Sequence, residues 1–167
     1  MMRNSLKQQS GVVLMVSLIF ILMLSLIGVS GSQVTSLEEK MAGNSRDQNI
    51  AFQSAEAALR AGELVIFNET DKTVFTSPNN ANGLFLASTE PDYTVESTWT
   101  NSSVAVATNI PLVASQPRYF IEYITDKPSD PADPGSTPAS YFRVTARGVG
   151  RQDTTRVFLQ SYYRKIF

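Results

Sequence analysis

Residues 11 to 29, GVVLMVSLIFILMLSLIGV, contain no charged side chain and constrain the fold more than any other stretch. Fifteen of the eighteen positions from Val12 to Val29 are Val, Leu, Ile, Met or Phe. At about −0.3 to −0.6 kcal/mol for each Leu, Ile, Phe or Val, such a segment partitions into lipid by several kcal/mol. As a helix it covers close to the ~30 Å hydrocarbon core of a bilayer. Arg3 and Lys7 precede it, and the first charges after it are Glu38 and Glu39. By the positive-inside rule the N-terminus stays cytoplasmic and the chain beyond Val29 is exported. A secretory signal peptide is the alternative. Its apolar stretch is shorter, roughly 7 to 15 residues, although Ser30, Gly31 and Ser32 supply the small side chains that signal peptidase accepts.

Of the 167 residues, those beyond the span suffice for one small domain with a single core. The formal net charge of −1 becomes −3 when Arg3 and Lys7 are removed from the 14 basic residues set against 15 acidic ones. That balance argues against a nucleic-acid partner. The chain has neither Cys nor His. An exported domain without Cys holds itself together without disulfides. Without His and Cys it also lacks the commonest general base, the commonest transition-metal ligand and the thiol nucleophile.

The stretch before the span, MMRNSLKQQSG, is short, polar and basic, and ends in Gly11 directly against the apolar run. A residue without a side chain lets a protease hold the backbone closely. This arrangement resembles the class III leader of type IV prepilins, which the prepilin peptidase cuts after that Gly before the new N-terminus is methylated. The resemblance places the cut between Gly11 and Val12. Two positions depart from the common pattern: Val12 stands where major pilins usually carry Phe, and Val16 stands where most carry Glu. That Glu pairs in the family with the N-terminal ammonium of a neighbouring subunit, a pairing that offsets the cost of a buried carboxylate. Val16 cannot make it.

Residues 33 to 67 read as one helix continuous with the span. Val34, Leu37, Met41, Gln48, Phe52, Ala55, Leu59 and Ile66 recur at three-, four- and seven-residue steps, with Ala51, Ala58 and Val65 beside them. Gly28, Gly31 and Gly43 are its weak points, each costing up to about 1 kcal/mol relative to Ala, and bending is expected around Gly28 to Ser32. The segment from Leu37 to Glu63, LEEKMAGNSRDQNIAFQSAEAALRAGE, resembles the N-terminal region of the PilX family of minor pilins. The likeness extends over roughly residues 8 to 66. The uncharged fifth mature residue, Val16, agrees with it, since this family and the related GspK-type pseudopilins lack the Glu.

Beyond the helix, residues 68 to 92 are rich in Asn, Thr, Ser and Pro and read as a long surface connection. Strand signals follow at Tyr93 to Thr100 and Arg118 to Thr125, with two short apolar pieces between them, Val104 to Thr108 and Ile110 to Ala114, left unassigned. Tyr141 to Val149 alternates apolar and polar residues and, with Thr154 to Tyr163, reads as a hairpin with one face on the helix. Asp126 to Ala139 contains four prolines and three aspartates and reads as an exposed, stiffened loop. Asp126, Asp130 and Asp133 are oxygen donors of the kind calcium takes, but their spacing is not that of an EF-hand and a solvated loop is the simpler reading. Arg143, Arg147, Arg151 and Arg156 cluster around the hairpin, either to meet an acidic partner or, more simply, as a solvated face that discourages edge pairing.

The expected architecture is α+β: a long N-terminal helix packed on a small antiparallel sheet of about four strands, which is also what the resemblance to the pilin fold implies. The expected divisions are a leader (1–11), a transmembrane and polymerisation helix (12–32) and a periplasmic globular domain (33–167), itself divided into helix 33–67, connection 68–92 and sheet 93–167. No catalytic constellation, cofactor or metal site is expected. The function implied by the resemblance is that of a minor pilin, acting through helix packing by Val12, Leu14, Val16, Leu18, Phe20, Leu22 and Leu24. The implied partners are other minor pilins, the major pilin, the prepilin peptidase, the pilus assembly platform and a PilY-type tip adhesin. A pseudopilin of type II secretion, and a single-span anchored periplasmic enzyme or sensor with the helix as a stalk, are the rival readings.

Overall fold

The computed structural model describes residues 10–76, 82–87, 89–100, 104–107 and 109–167. Helix α1 runs Ser10–Asn68. The chain divides into two units after Asn44. The first consists, in its described part, of α1 alone. The second, Ser45–Phe167, contains the rest of α1, the short helices α2 (Thr73–Thr76) and α3 (Glu96–Thr100), and five strands: β1 (Leu84–Leu86), β2 (Ala105–Val106), β3 (Arg118–Asp130), β4 (Asp133–Val149) and β5 (Arg156–Ile166).

The strands form one sheet in the order β1-β3-β4-β5, with β2 sharing the outer edge of β3 with β1. The expected antiparallel core is present: β3 pairs with β4 from Arg118↔Arg147 to Asp130↔Asp133, and β4 with β5 from Val149↔Arg156 to Ala139↔Ile166. The sheet is nevertheless mixed, because β1 runs parallel to β3, with Leu84 opposite Ile121. Residues 68 to 92 are therefore more than a connection. They hold α2, whose start Asp71 caps by accepting the Thr73 N–H at 2.8 Å, and they supply β1.

The α1 face that meets the sheet is made of small residues. Asp47, Ala51, Ser54, Ala55, Ala58, Gly62 and Ile66 are buried at three- and four-residue steps, whereas Phe52, Leu64 and Phe67 are exposed. The reason lies opposite. At Gly148 a Cβ would overlap Ala51 O and Ala55 N and sit 2.8 Å from Ala55 Cα, so the strand backbone lies directly on the helix backbone. At Gly62 a Cβ would lie 2.6 Å from Val144 Cγ1 and 2.9 Å from Tyr119 Cδ2. Around this contact Ala58, Ile66, Phe75, Tyr119, Ile121, Phe142, Val144 and Ala146 form the main core, with Phe75 edge-on to Phe142 at 4.9 Å between ring centroids.

Two sequence expectations are corrected. Tyr93 to Thr100 is not a strand. Asp92 accepts both the Thr94 N–H (2.8 Å) and the Thr94 hydroxyl (2.6 Å), which fixes a turn, and the chain then coils into α3. Trp99 projects from α3 onto the sheet face opposite α1, its ring centroid 5.6 Å from Phe120 and 5.7 Å from Phe158, while its indole N–H donates to Tyr93 O at 2.8 Å. With Phe85, Val104 and Phe120 it makes a second core. The β-branched and aromatic residues that suggested a strand are there to fill this layer.

Asp126 to Ala139 is not a loop either. It forms a two-stranded ribbon, with Lys127 opposite Ala139, Pro128 opposite Pro138, and the turn at Pro131 and Ala132. Pairing of β4 with β5 ends at Ala139, so among the described residues both outer edges of the ribbon are open, and proline, which has no N–H to give, is tolerated at an open edge. A bulge between Tyr123 and Thr125 and a larger register shift between Pro128 and Asp130 absorb the remaining mismatch.

Candidate functional site: an uncovered apolar helix

The first unit has no core. Its most apolar window has a mean hydropathy of 3.0 and none of it is buried. A core helix of a water-soluble domain is mostly covered, whereas this one exposes Val12, Leu14, Leu18, Phe20, Leu22 and Leu24 by more than half and Val16 by 45%. Water is the wrong solvent for such a surface, so lipid or other apolar helices must cover it. The polar groups within it are already satisfied. Ser17 donates to Leu14 O at 2.9 Å, Ser25 to Ile21 O at 2.8 Å and Thr35 to Gly31 O at 3.2 Å. Such back-bonding lets hydroxyls enter an apolar medium, and it also favours slight helix bending.

The residues expected to mediate packing do not share one face. Leu14, Val16, Leu18, Phe20, Leu22 and Leu24 are two apart, a step of about 200° on a helix, and so encircle α1. What the structure brings together is Leu18, Ile21, Leu22, Ser25, Leu26 and Val29, which line a shallow groove of about 400 Å³. Ile21, Ser25, Leu26 and Val29 lie outside the expected set, and their three- and four-residue spacing puts them on one face with Leu18 and Leu22. Gly11 is the second residue of α1, and a Cβ there would meet nothing within 4 Å. The rest of the expected leader, residues 1 to 9, lies outside the described residues.

The charged residues singled out in the sequence belong to the second unit, and most are paired within it. Asp126 binds Lys72 and accepts the Ser140 hydroxyl at 2.7 Å. Burial opposes its charge, but Lys72, Ser140 and Tyr123 hold its carboxyl below the ordinary value. Tyr123 beside it is pushed up to about 12 by burial and by Asp126. Asp130 and Asp133 accept the Ala132 and Gly135 N–H groups, at 2.8 and 2.9 Å. They shape the ribbon turn, and among the described residues no group of three or more His, Cys, Asp or Glu side chains gathers where a metal ion could bind.

Three of the four arginines are tied into ion pairs, while Arg151 stays exposed at the β4–β5 turn. Arg143 donates through Nε to Glu122 at 2.7 Å and through a terminal nitrogen to Glu90 at 2.6 Å. Arg147 is buried, pairs with Glu96 at 3.0 Å and lies over the Trp99 ring. Arg156 reaches the same Glu96. These pairs fasten the α3 layer to the sheet. Glu122, only 3% exposed, is pushed up to about 7 by burial and by the Glu90 carboxyl, with Arg143 opposing. A raised carboxyl of this kind can mark a catalytic acid, but here it sits in a closed ion-pair cluster. Asp47 accepts the Arg151 N–H at 2.6 Å, tying the β4–β5 turn to α1. The Thr155 hydroxyl, then the Arg151 and Gln152 N–H groups, hold its carboxyl low.

The conspicuous surface is thus an apolar helix built for burial outside its own domain. Among known families, a model of the C-terminal part of the type IV pilus assembly protein PilX matches residues 67–165, and a model of the PilX N-terminal region matches residues 10–60. Neither the curated proteins nor the solved structures give a match. With nearly the whole chain covered by these two matches, the protein belongs to the PilX family of type IV pilus assembly proteins.

Proposed function

We propose that this protein is a minor pilin made as a prepilin, held in the inner membrane by the 12–32 segment with its N-terminus cytoplasmic, and then built into the tip region of a type IV pilus. Processing cuts between Gly11 and Val12 and methylates Val12. The segment then leaves the bilayer and packs among the helices of other minor pilins and the major pilin on the assembly platform, supporting pilus biogenesis, twitching motility and adhesion, with a PilY-type adhesin at the tip. The observation that carries this reading is an apolar helix with no burial of its own joined to a domain whose core is complete. Such a helix exchanges lipid contacts for protein contacts, so the net gain is modest and packing detail decides it.

Val16 supports the tip placement. A Glu at this position would need an ammonium partner from a neighbouring subunit, and a subunit without it can stand where one neighbour is absent. Mass spectrometry of the mature protein from cell envelopes tests the export class. The expected N-terminus is N-methylated Val12, and Gly11→Val is expected to leave the leader attached. A wild-type N-terminus at Met1 refutes the reading, as does retention of the protein in the membrane fraction when filaments are sheared from piliated cells.

A further inference from the structure

The free edge of β5 is unlike the other edges of this sheet. β1 is three residues long, and the outer ribbon edges carry prolines, both common ways of blunting an edge. β5 runs for eleven residues in unbroken register, without Pro, Gly or bulge, and carries no charge from Val157 to Tyr163. Gly150 N–H donates to Thr155 O at 2.9 Å, so the carbonyl of Thr155 faces β4 and fixes the parity of the ladder that continues into β5. Bonded and non-bonded pairs alternate along an antiparallel ladder. Phe158, Gln160, Tyr162 and Arg164 therefore turn their backbone N–H and C=O groups outward, and no described residue meets them there.

Beside the C-terminal end of this edge lies a pocket of about 490 Å³, lined by Phe67, Tyr163, Arg164, Lys165 and Ile166. Phe67 is 66% exposed and Ile166 50%. Lys165 donates to the carbonyls of Ile66, Phe67 and Glu69, the end of α1, and Arg164 donates to Ser129 O at 2.9 Å. Neither has a carboxylate within ion-pair distance among the described residues, and no acidic residue occurs from Arg156 to Phe167.

We propose that β5 is a strand-addition site for an extended, acidic segment of another pilus subunit. The incoming strand bonds to the outward groups of Phe158 to Arg164, places one apolar side chain in the pocket beside Phe67, and sets a carboxylate against Arg164. A second copy of this chain fits poorly. Two β5 strands side by side would bring Arg164 and Lys165 of both copies to one seam with no acid between them. The proposal rests on the pilus-subunit reading and names the surface through which that subunit meets a partner.

The test uses the full chain in detergent micelles and a fluorescent ten-residue peptide of alternating valine and threonine, with one phenylalanine and two glutamates at one end, followed by anisotropy. Gln160→Ala and Gln160→Pro both lose the bond from Gln160 to the Thr145 hydroxyl, but only the proline removes the outward N–H. Saturable binding by wild type and by Gln160→Ala is expected, with Gln160→Pro weakened about tenfold or more and a lysine-for-glutamate peptide binding poorly. Phe67→Asp, at an exposed position, gives a second reading of the pocket and is also expected to weaken binding if Gln160→Pro fails to fold. Equal binding by the two Gln160 variants, no saturable binding by wild type, or self-association without peptide affinity each overturns the proposal. The N-terminus of the same preparation keeps the two readings apart. Processing at Val12 with no peptide binding removes this surface and leaves the pilin reading intact, whereas peptide binding by a chain still starting at Met1 does the reverse.

Discussion

Gly148→Ala adds one methyl group at the point where the sheet rests on α1. The new Cβ would overlap Ala51 O and Ala55 N and lie 2.8 Å from Ala55 Cα. Those atoms are helix backbone and have no rotamer to change. Relief requires α1 to move away from β4, opening the contacts of Ala51, Ala55 and Ala58, all fully buried. Overpacking of a well-filled core costs about 1–3 kcal/mol, occasionally more, and a backbone clash belongs at the upper end. The loss of chain entropy in the unfolded state offsets about 0.4–1 kcal/mol of this, leaving a destabilisation of about 2 kcal/mol. For a unit of this size that corresponds to a fall in Tm of roughly 6–12 °C.

The assay is thermal unfolding of the full chain in detergent, followed by near-ultraviolet circular dichroism of Trp99, the single tryptophan. Gly135→Ala is the control, since a Cβ there meets only the Asp133 carboxylate, at 3.3 Å, and a change within about 0.5 kcal/mol is expected. A second variant identifies the clashing atoms. If they are backbone, adding Ala55→Gly to Gly148→Ala brings no recovery, whereas a side-chain clash would be relieved. A Tm for Gly148→Ala within about 2 °C of wild type, or rescue by Ala55→Gly, refutes the argument that helix and strand meet backbone to backbone.

Two further outcomes follow from the opposite sheet face. Trp99→Ala should cost about 3–5 kcal/mol, and hydrogen exchange should show α3 and its flanks losing protection before β3 and β4; uniform loss across the sheet would show that this layer is not separable. For Glu122 the folded value, raised to about 7, exceeds the ordinary 4.5, so the folded state holds the proton more tightly and stability falls as pH rises from 4.5 through 7. Glu122→Gln should flatten the urea midpoint across that window, and an unchanged slope would place the proton elsewhere.

Large-residue patterns were legible in the sequence, and close backbone contacts were not. The span, the α+β class and the β4–β5 hairpin follow from hydropathy and from the alternation of Phe142, Val144 and Ala146 with arginines. The helix stripe was read too far toward its large members. Val34, Leu37 and Met41 lie in the first unit and are exposed, and Phe52 in the second is exposed as well, since the sheet there meets Ala51, Ala55, Ala58 and Gly62 instead. That preference comes from partners far along the chain, Gly148 against Ala51 and Ala55, and Val144 and Tyr119 against Gly62. Trp99 misled in a related way. Its neighbours have strand propensity, yet the requirement for a buried ring over Phe120 and Phe158 outweighed it. The prolines of 128–138 were read as strand breakers, a rule that holds inside a sheet and lapses at open edges. The arginines looked like a surface feature because Glu90, Glu96 and Glu122 are scattered in sequence and converge only in the fold.

The division of burial bears on how such a subunit can change surroundings. Every buried residue among the described ones lies at or beyond Asp47, within the second unit. The core of that unit is made from its own residues. Within the most apolar part of α1, Ser17 and Ser25 bond to carbonyls of their own helix and so enter an apolar medium without an outside partner. On the proposed reading, a transfer between two apolar environments changes few terms, and packing along the helix surface that includes Leu18, Ile21, Leu22 and Leu26 decides its direction. Reversible assembly needs that near-balance, and a charged residue at position 16 would shift it by tying the exchange to one specific partner. On that reading Val16 leaves the balance to shape alone, so enlarging Ser25 to Leu in the groove should alter filament incorporation while leaving the melting of the globular unit unchanged.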